Sequence, residues 1–246
     1  MNKEGLILII NTVQRQDLCE NGKLDSMAIR KTSFVPGEYF HIYNRENDKR
    51  QIFHDASDYY HFLKLLYLSN SHKNFVIRDI EGDIYSIDRG NPIINIGAYC
   101  AMPNHFHLLI TPIEEGGLSK FMQKFSTGLS MYYNAKYSRT GSLFEGKFKA
   151  EHASNDTYLK YLFSYIHLNP IKLIQKDWKE NGIKDLNKCV EYLRKYYFSS
   201  YSDYLNQLRP ERIIINRTAF PDYLPNEKVF EKEILDWLVN TEARPM

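Results

Sequence analysis

The sequence predicts an α+β fold in which helices pack on one face of an antiparallel β-sheet. Two observations support this prediction. Alternating and continuous apolar stretches follow one another in the order expected for β, α, β, β, β, α and α elements. The two most apolar stretches, residues 93–102 and 105–111, are separated only by Pro103-Asn104, which is typical of adjacent antiparallel strands. These two strands are expected at the centre of the sheet.

The N-terminal half of the fold is predicted to begin with a strand over residues 38–45, where aromatic and polar residues alternate. A helix should follow a cap at Asp55 or Ser57, because apolar residues then recur at helical spacing. A further short strand is expected over residues 75–80. Turn residues at 81–83 and 89–92 then lie on either side of a possible hairpin arm.

Two helices and an extended segment follow the central strands. Apolar spacing predicts the first helix over 118–137, although Gly128 lowers its propensity. A turn then leads into an extended segment that ends at Lys149. The second helix should start from a cap at Asn155 or Asp156, and Pro170 should end it near residue 169.

The chain divides into three predicted parts. Residues 1–33 have little periodicity and are expected to form a loosely attached N-terminal extension. Residues 34–175 contain the predicted sheet and form the main domain. Residues 176–246 are predicted to form a C-terminal helical subdomain, with helices over 191–205 and 227–239.

Several classes of protein are excluded by composition. No apolar run approaches the ~20 residues of a membrane-spanning helix, and Leu6–Ile10 is too short for the apolar region of a signal peptide. The three cysteines, which are Cys19, Cys100 and Cys189, fit neither a disulfide framework nor a CxxC metal site. We therefore expect a cytoplasmic protein without a membrane partner.

The overall charge does not indicate a nucleic-acid partner, but the local charge does. Lys and Arg number 32 against 30 Asp and Glu, a net charge of only +2. Residues 121–150, in contrast, contain five basic residues and one acidic residue. The chain also has 19 tyrosines and 14 phenylalanines, which could stack on unpaired bases beside those basic groups. The alternative that the aromatic residues simply fill the core stays open.

A pair of histidines marks the start of one central strand. His105 and His107 are two positions apart, so both side chains point to the same face of the sheet and could bind one metal ion. Phe106 between them would face the core. Such a pair also occurs as two ordinary polar residues on a solvated sheet face, and the spacing alone does not decide between these interpretations.

The second predicted helix offers a nucleophile and a further ligand. Tyr165 and Asn169 are four positions apart and share one face of that helix. Tyr158, Tyr161 and Tyr165 also form a stripe at helical spacing, which equally suits a helix that packs against the core.

Four motifs in the correct order resemble the single-tyrosine HUH transposases, and in particular their REP-associated branch. His105-Phe106-His107 resembles the HUH motif, in which U is a bulky apolar residue. The segment 165–170 is similar to the tyrosine helix of that branch, and 137–147 to its Tyr-Gly-Arg-Thr-Gly-x-Leu-Trp-Glu-Gly-Arg stretch. Upstream, 41–48 resembles its first strand and Asn-Arg-Gly-Asn turn. The resemblance covers roughly residues 36–175.

The resemblance implies a ferredoxin-like or RRM-like sheet, a DNA-transposing enzyme and a set of site residues. Tyr165 would be the nucleophile, and His105, His107 and Asn169 would hold Mg²⁺ or Mn²⁺. The enzyme would cleave and rejoin hairpin-containing or REP-like single-stranded DNA through a 5′-phosphotyrosine intermediate, as a monomer. The residues expected to contact DNA are Arg45, Lys136, Tyr137, Arg139, Phe144, Lys147 and Lys149.

The chain departs from the family pattern at a few positions. Glu46 replaces a glycine and would place an acidic side chain near DNA, while Phe144 and Lys147 replace the common Trp and Arg. The stretch 80–92 is an insertion relative to the shortest relatives. None of these departures alters the nucleophile or the expected metal ligands.

Two other functions remain compatible with the residues. The chain could be a non-catalytic module that binds single-stranded nucleic acid, with the two histidines as surface polar residues. It could also be a metal-dependent hydrolytic nuclease, although no HExxH motif or third His or Cys ligand at suitable spacing is present.

Overall fold

The computed structural model describes residues 33–46 and 50–239. The predicted N-terminal extension therefore lies almost entirely outside the described residues. Among the described residues, no helix combines the length and the apolar character that crossing a bilayer requires.

A four-stranded antiparallel sheet forms the centre of the molecule. Its strands are β1 (Phe40–Arg45), β2 (Ile94–Met102), β3 (His105–Pro112) and β4 (Lys149–His152), in the spatial order β2-β3-β1-β4. The apolar β2 and β3 pair along almost their whole length, with an irregularity between Ile96 and Ala98. The predicted α+β class and the central position of β3 are confirmed, but the expectation that β2 is also central is wrong, because β2 lies at an edge of the sheet and only β3 pairs with it as a full strand.

Helices α1 (Ala56–Ser69) and α2 (Gly117–Lys136) cover one face of this sheet. The Asp55 carboxylate caps α1 and forms a capping box with Asp58. Of the two caps that the sequence offered, Asp55 and Ser57, the helix therefore uses Asp55. Gly128 has a packing role in α2, because a Cβ atom there would lie 2.7 Å from Cδ2 of Leu65 in α1. The glycine that lowers helix propensity thus lets the two helices approach closely.

Helix α3 (Asp156–Leu168) covers the opposite face of the sheet. The sequence predicted helices on one face only, whereas the structure has helices on both faces. Asn155 caps the helix by accepting a hydrogen bond from the backbone N–H of Tyr158. Its end at Leu168 agrees with the predicted effect of Pro170. The chain continues as a 3₁₀ turn over Asn169–Leu173.

The C-terminal part packs on the same face as α3 and along the edge of β2. It contains α4 (Trp178–Asn181), α5 (Leu186–Lys195), α6 (Tyr201–Tyr204) and α7 (Glu227–Val239). The backbone N–H of Ala101 in β2 donates to the carbonyl of Phe198 over 3.0 Å. The Arg209 side chain, which is 4% exposed, also reaches the sheet, where its guanidinium donates to the Tyr99 hydroxyl over 2.8 Å.

Three local predictions are wrong. Residues 75–80 form a 3₁₀ turn at Ile77–Asp79 rather than a strand, and the expected hairpin arm contains another such turn at Ile84–Ser86. This insertion packs on α1, where the Tyr67 hydroxyl donates to the carbonyl of Ile87 over 2.8 Å. The helix predicted over 191–205 ends at Lys195, because the following residues leave the helix to pair with β2. The predicted helix over 227–239 is confirmed.

Candidate active site

Alternating residues of β1 and β3 form the floor of the candidate site. Strand β3 presents His105 and His107 on the face that α3 covers, while Phe106 enters the core on the other face. In the antiparallel register, Tyr43 of β1 lies opposite His107. His41, two positions earlier in β1, therefore lies on the same face.

Helix α3 places Tyr165 against these imidazoles. The ring centroid of Tyr165 lies 5.4 Å from that of His107 and 5.7 Å from that of His41, in edge-on geometry with both. The tyrosine is 6% exposed, so it is almost enclosed by its neighbours. The structure thus brings together the tyrosine and the histidines that the sequence singled out.

Asn169 follows one helical turn after Tyr165 and is buried. Its side-chain nitrogen donates to the backbone carbonyl of Tyr165 over 2.9 Å. This bond fixes the orientation of the amide, since only the nitrogen can donate. The side-chain oxygen is buried and has no hydrogen-bond partner among the described residues.

The two strand histidines each use Nδ1 in a hydrogen bond. Nδ1 of His105 lies 2.6 Å from the side-chain oxygen of Asn104; because that oxygen only accepts, Nδ1 carries the proton and Nε2 keeps the lone pair. Nδ1 of His107 lies 3.0 Å from Nε2 of His41. A proton on Nδ1 of His107 would be donated to His41 and would likewise leave a lone pair on Nε2.

Burial keeps both paired imidazoles neutral. The pKa of His41 is lowered to about 3 because the ring is completely buried. The pKa of His107 is lowered far below its ordinary value by burial first, and then by the charges of neighbouring histidines and lysines. Neutral imidazoles have the lone pairs that a metal ion requires.

The donor set fits a divalent metal ion. Nε2 of His107 and the side-chain oxygen of Asn169 are buried polar atoms without hydrogen-bond partners among the described residues. Burying such an atom unpaired costs about 1–3 kcal/mol, which ligation would offset. In residues 33–46 and 50–239, no three His, Cys, Asp or Glu side chains form a metal-binding group. An ion would therefore be held by two imidazoles and one amide, with further positions left for phosphate or water.

One carboxylate borders the site and was not predicted. Glu151 of β4 accepts hydrogen bonds from the hydroxyl of Tyr43 over 3.0 Å and from that of Tyr158 over 3.1 Å. It thereby ties β1, β4 and α3 together beside the histidines. Side chains alternate along β4, and this alternation determines the face of the sheet on which Glu151 lies. That β4 lies next to β1 follows only from the strand order.

Three of the predicted DNA-contact residues lie around this face. Arg45 lies opposite His105 in the strand register and forms an ion pair with Glu145. Lys147 and Lys149 are exposed, and Lys149 lies opposite Tyr43. These positions suit contacts with a phosphate backbone that runs past the histidines.

The other four predicted DNA contacts have partners within the protein. Lys136 forms ion pairs with Asp55 and Asp58, and the Tyr137 hydroxyl donates to Asp58 over 2.7 Å. Arg139 pairs with the fully buried Glu46 over 3.3 Å. Phe144 packs edge-on against Phe106 in the core, so a stacking contact with a base would require its ring to leave the core. Their contact with DNA stays a prediction.

The structure also accounts for two residues about which the sequence left a question. Glu46, the residue that replaces a glycine of the family pattern, is buried and paired with Arg139 and Arg50 rather than directed at solvent. His167 faces away from Tyr165, as its position on the helix predicts, and its Nε2 lies 2.7 Å from the Ser200 hydroxyl.

The chain is similar to known proteins in the segment that contains this site. Residues 90–169 match the model of the IS200-like transposase family. No curated protein matches the chain. A solved structure of a REP-associated tyrosine transposase bound to a REP hairpin is similar over 75% of this chain and 90% of that one, with 15% sequence identity and a TM-score of 0.48. The family match includes both histidines of β3, Tyr165 and Asn169, and the similarity of this chain to the IS200-like transposases is thereby confirmed.

Proposed function

We propose that this protein is a DNA transposase that cleaves and rejoins hairpin-containing single-stranded DNA through Tyr165. One observation carries the proposal: the Tyr165 ring lies directly against His107, inside the segment that matches the transposase family. A tyrosine beside imidazoles that can hold a metal ion can attack a phosphate bound at the same place.

The reaction that fits this site is a transesterification. Oη of Tyr165 loses its proton and forms a bond to phosphorus, the 3′ oxygen of the preceding nucleotide leaves and takes up a proton, and the 5′ phosphate stays on the tyrosine, so the step neither gains nor loses a proton overall. The phosphotyrosine ester retains the energy of the broken bond, so a 3′ hydroxyl can reverse the step and join DNA without ATP. The near-complete burial of Tyr165 keeps water away from that ester.

His105, His107 and Asn169 are the residues that would hold Mg²⁺ or Mn²⁺. When bound, such an ion polarises the phosphate and offsets its negative charge. His41 orients His107 through their hydrogen bond, and the bond from Asn169 to the Tyr165 carbonyl couples the third ligand to the helix of the nucleophile.

Single-stranded DNA is the substrate that the surroundings support. The exposed Lys147 and Lys149 follow the edge of the sheet beside the site, where they can neutralise successive phosphates. A hairpin beside the cleaved strand agrees with the family resemblance. Because Tyr165 contacts His107 of the same chain, we propose that the monomer is active.

A denaturing gel with labelled hairpin DNA from beside the gene of this protein tests the proposal. We expect a covalent protein–DNA band that requires Mg²⁺ or Mn²⁺, disappears with chelator and is absent in Tyr165→Phe. Tyr192→Phe removes the same hydroxyl from α5 and is the matched control that should keep the band.

The alternatives predict different results from the same gel. A band that survives in Tyr165→Phe would exclude this residue as the nucleophile. Metal-dependent cleavage without any covalent band would favour a hydrolytic nuclease. DNA binding that is unchanged in Tyr165→Phe, with no cleavage of any hairpin, would favour a non-catalytic binding module.

A further inference from the structure

A lysine from the C-terminal part of the chain lies on the ring of the proposed nucleophile. Nζ of Lys179 lies 5.1 Å from the centroid of the Tyr165 ring. Lys179 belongs to α4, ten residues beyond the end of the segment that matches the transposase family. Its neighbour Trp178 is buried in the core beneath α3 and anchors this short helix.

A second lysine approaches the same cluster. Lys172 in the 3₁₀ turn after α3 and Lys179 are both close enough for their charges to act on His107. The segment that directly follows the tyrosine helix thus brings two positive charges within electrostatic reach of His107. Lys179 is the one whose ammonium group has a defined position relative to the nucleophile.

An ammonium group at this place would add to the positive charge that a bound metal ion offers a phosphodiester. The phosphodiester carries one negative charge in the ground state, and attack by an oxygen nucleophile concentrates negative charge on its non-bridging oxygens. Burial keeps His41 and His107 neutral and the Asn169 amide carries no charge, so none of these three groups supplies a positive charge to the phosphate. An ammonium group on a flexible stem can follow the phosphate as the bond to Tyr165 forms.

We propose that Lys179 binds the scissile phosphate and stabilises its developing charge during attack by Tyr165. The inference rests on the proposed function, since it assigns a further residue to the same site. It also makes the C-terminal segment a part of the active site rather than a separate attachment. The contrasting interpretation is that Lys179 only packs on the tyrosine ring as a structural contact.

Three variants separate charge from packing. Lys179→Met keeps most of the apolar stem and removes the charge, whereas Lys179→Arg keeps the charge. Lys188→Met removes an exposed lysine from α5 and is the control for a general change in protein charge. None of these changes alters a fully buried side chain, and thermal unfolding of each variant verifies the fold.

The first readout is the rate of covalent adduct formation at saturating hairpin DNA. We expect Lys179→Met to slow this rate on the order of 10- to 100-fold, Lys179→Arg to recover a large part of it, and Lys188→Met to leave it unchanged. A wild-type rate in Lys179→Met would overturn the proposal. Equal losses in the Met and Arg variants would also overturn it, because they would indicate a packing role.

The second readout is DNA binding and requires no cleavage of the DNA. With chelator present, the slope of the logarithm of the hairpin binding constant against the logarithm of salt concentration should fall by about 0.7 in Lys179→Met, the value for one lost phosphate contact on a single strand. An unchanged slope would contradict the proposal. If the wild-type protein forms no adduct at all, the transposase function fails, while this slope still decides whether Lys179 contacts phosphate.

Discussion

At the scale of single residues, the contact between His41 and His107 determines how the site can receive a metal ion. Nε2 of His41 is the partner of His107 Nδ1, and when it accepts the proton of that nitrogen, Nε2 of His107 keeps its lone pair as a ligand atom. Partners of this kind contribute substantially to metal affinity, although they never touch the ion.

We therefore expect His41→Phe to weaken Mn²⁺ binding about 10- to 100-fold. His41→Gln is the matched variant, because its amide oxygen can accept the same proton; it should bind Mn²⁺ more tightly than His41→Phe. The loss of the free-ion signal in electron paramagnetic resonance measures both affinities without any DNA. Equal Mn²⁺ affinity in the wild type and His41→Phe would show that the hydrogen bond does not orient the ligand.

The site residues that could be predicted from the sequence are those that lie close together along the chain. His105 and His107 are two apart on a strand, and Tyr165 and Asn169 four apart on a helix, so local periodicity places each pair on one face. His41 and Glu151 join the site only through strand pairings between distant segments. Lys179 depends on the fold of a four-residue helix that carries no periodic signal. No pattern in the sequence places these three residues, which are His41, Glu151 and Lys179, at the site.

At the scale of elements, Lys136 joins the end of α2 to the beginning of α1. Its ammonium group donates to Asp58 over 2.6 Å and to Asp55 over 2.8 Å. Asp58 is almost completely buried, so the removal of this cation would leave a carboxylate without its main counterion. Lys136, for which contact with DNA stays a prediction, thus has two carboxylate partners within the protein.

Lys136→Met should lower the free energy of unfolding by about 2 kcal/mol near pH 7, since a buried carboxylate loses a charged partner. Burial raises the pKa of Asp58, but hydrogen bonds from Lys136 and Tyr137 outweigh it and hold the pKa below its ordinary value. A lowered carboxyl pKa gives stabilisation that is present above about pH 4 and is lost as the pH falls further.

Urea unfolding at pH 7 and at pH 3 tests this expectation. The difference between wild type and Lys136→Met should shrink at the lower pH, while Lys188→Met should differ little from wild type at either pH. A difference that stays constant between the two pH values would mean that the ion pair with Asp58 is not its cause.

Elements with a strong periodic pattern could be predicted, and those that depend on tertiary pairing could not. The helix over 227–239 has apolar residues at helical spacing, and the structure has the same bounds. Residues 196–205 follow a helical segment and were predicted to continue it. In the structure Phe198 and Ser199 pair with β2 instead, and this pairing ends α5 at Lys195. Tertiary hydrogen bonds here override local propensity.

At the scale of the whole molecule, Arg209 fastens the C-terminal part to the sheet. Its guanidinium forms a bidentate pair with the buried Asp203 over 2.6 and 2.7 Å and also reaches Tyr99 in β2. Breaking a buried pair of this kind leaves an uncompensated charge and costs about 3–5 kcal/mol. The C-terminal part and the sheet should therefore unfold together.

Arg209→Met should lower the free energy of unfolding by about 3 kcal/mol, and Arg212→Met, at an exposed neighbouring arginine, by far less. Both tryptophans, Trp178 and Trp237, lie in the C-terminal part, so their fluorescence reports on that part alone. Circular dichroism reports on the whole molecule. Coincident urea transitions by the two signals are expected in the wild type, and separate transitions would show that the C-terminal part unfolds independently.

The backbone hydrogen bond between Ala101 and Phe198 has one more consequence, which concerns association between chains. Strand β2 lies at the edge of the sheet, and its nine residues are almost all buried and mostly apolar. Long apolar edge strands pair readily with other chains when they are uncovered. A chain cut before residue 197 would keep Lys179 but expose that edge, so aggregation, measurable by light scattering, should follow even though the residues proposed to act on DNA are all present.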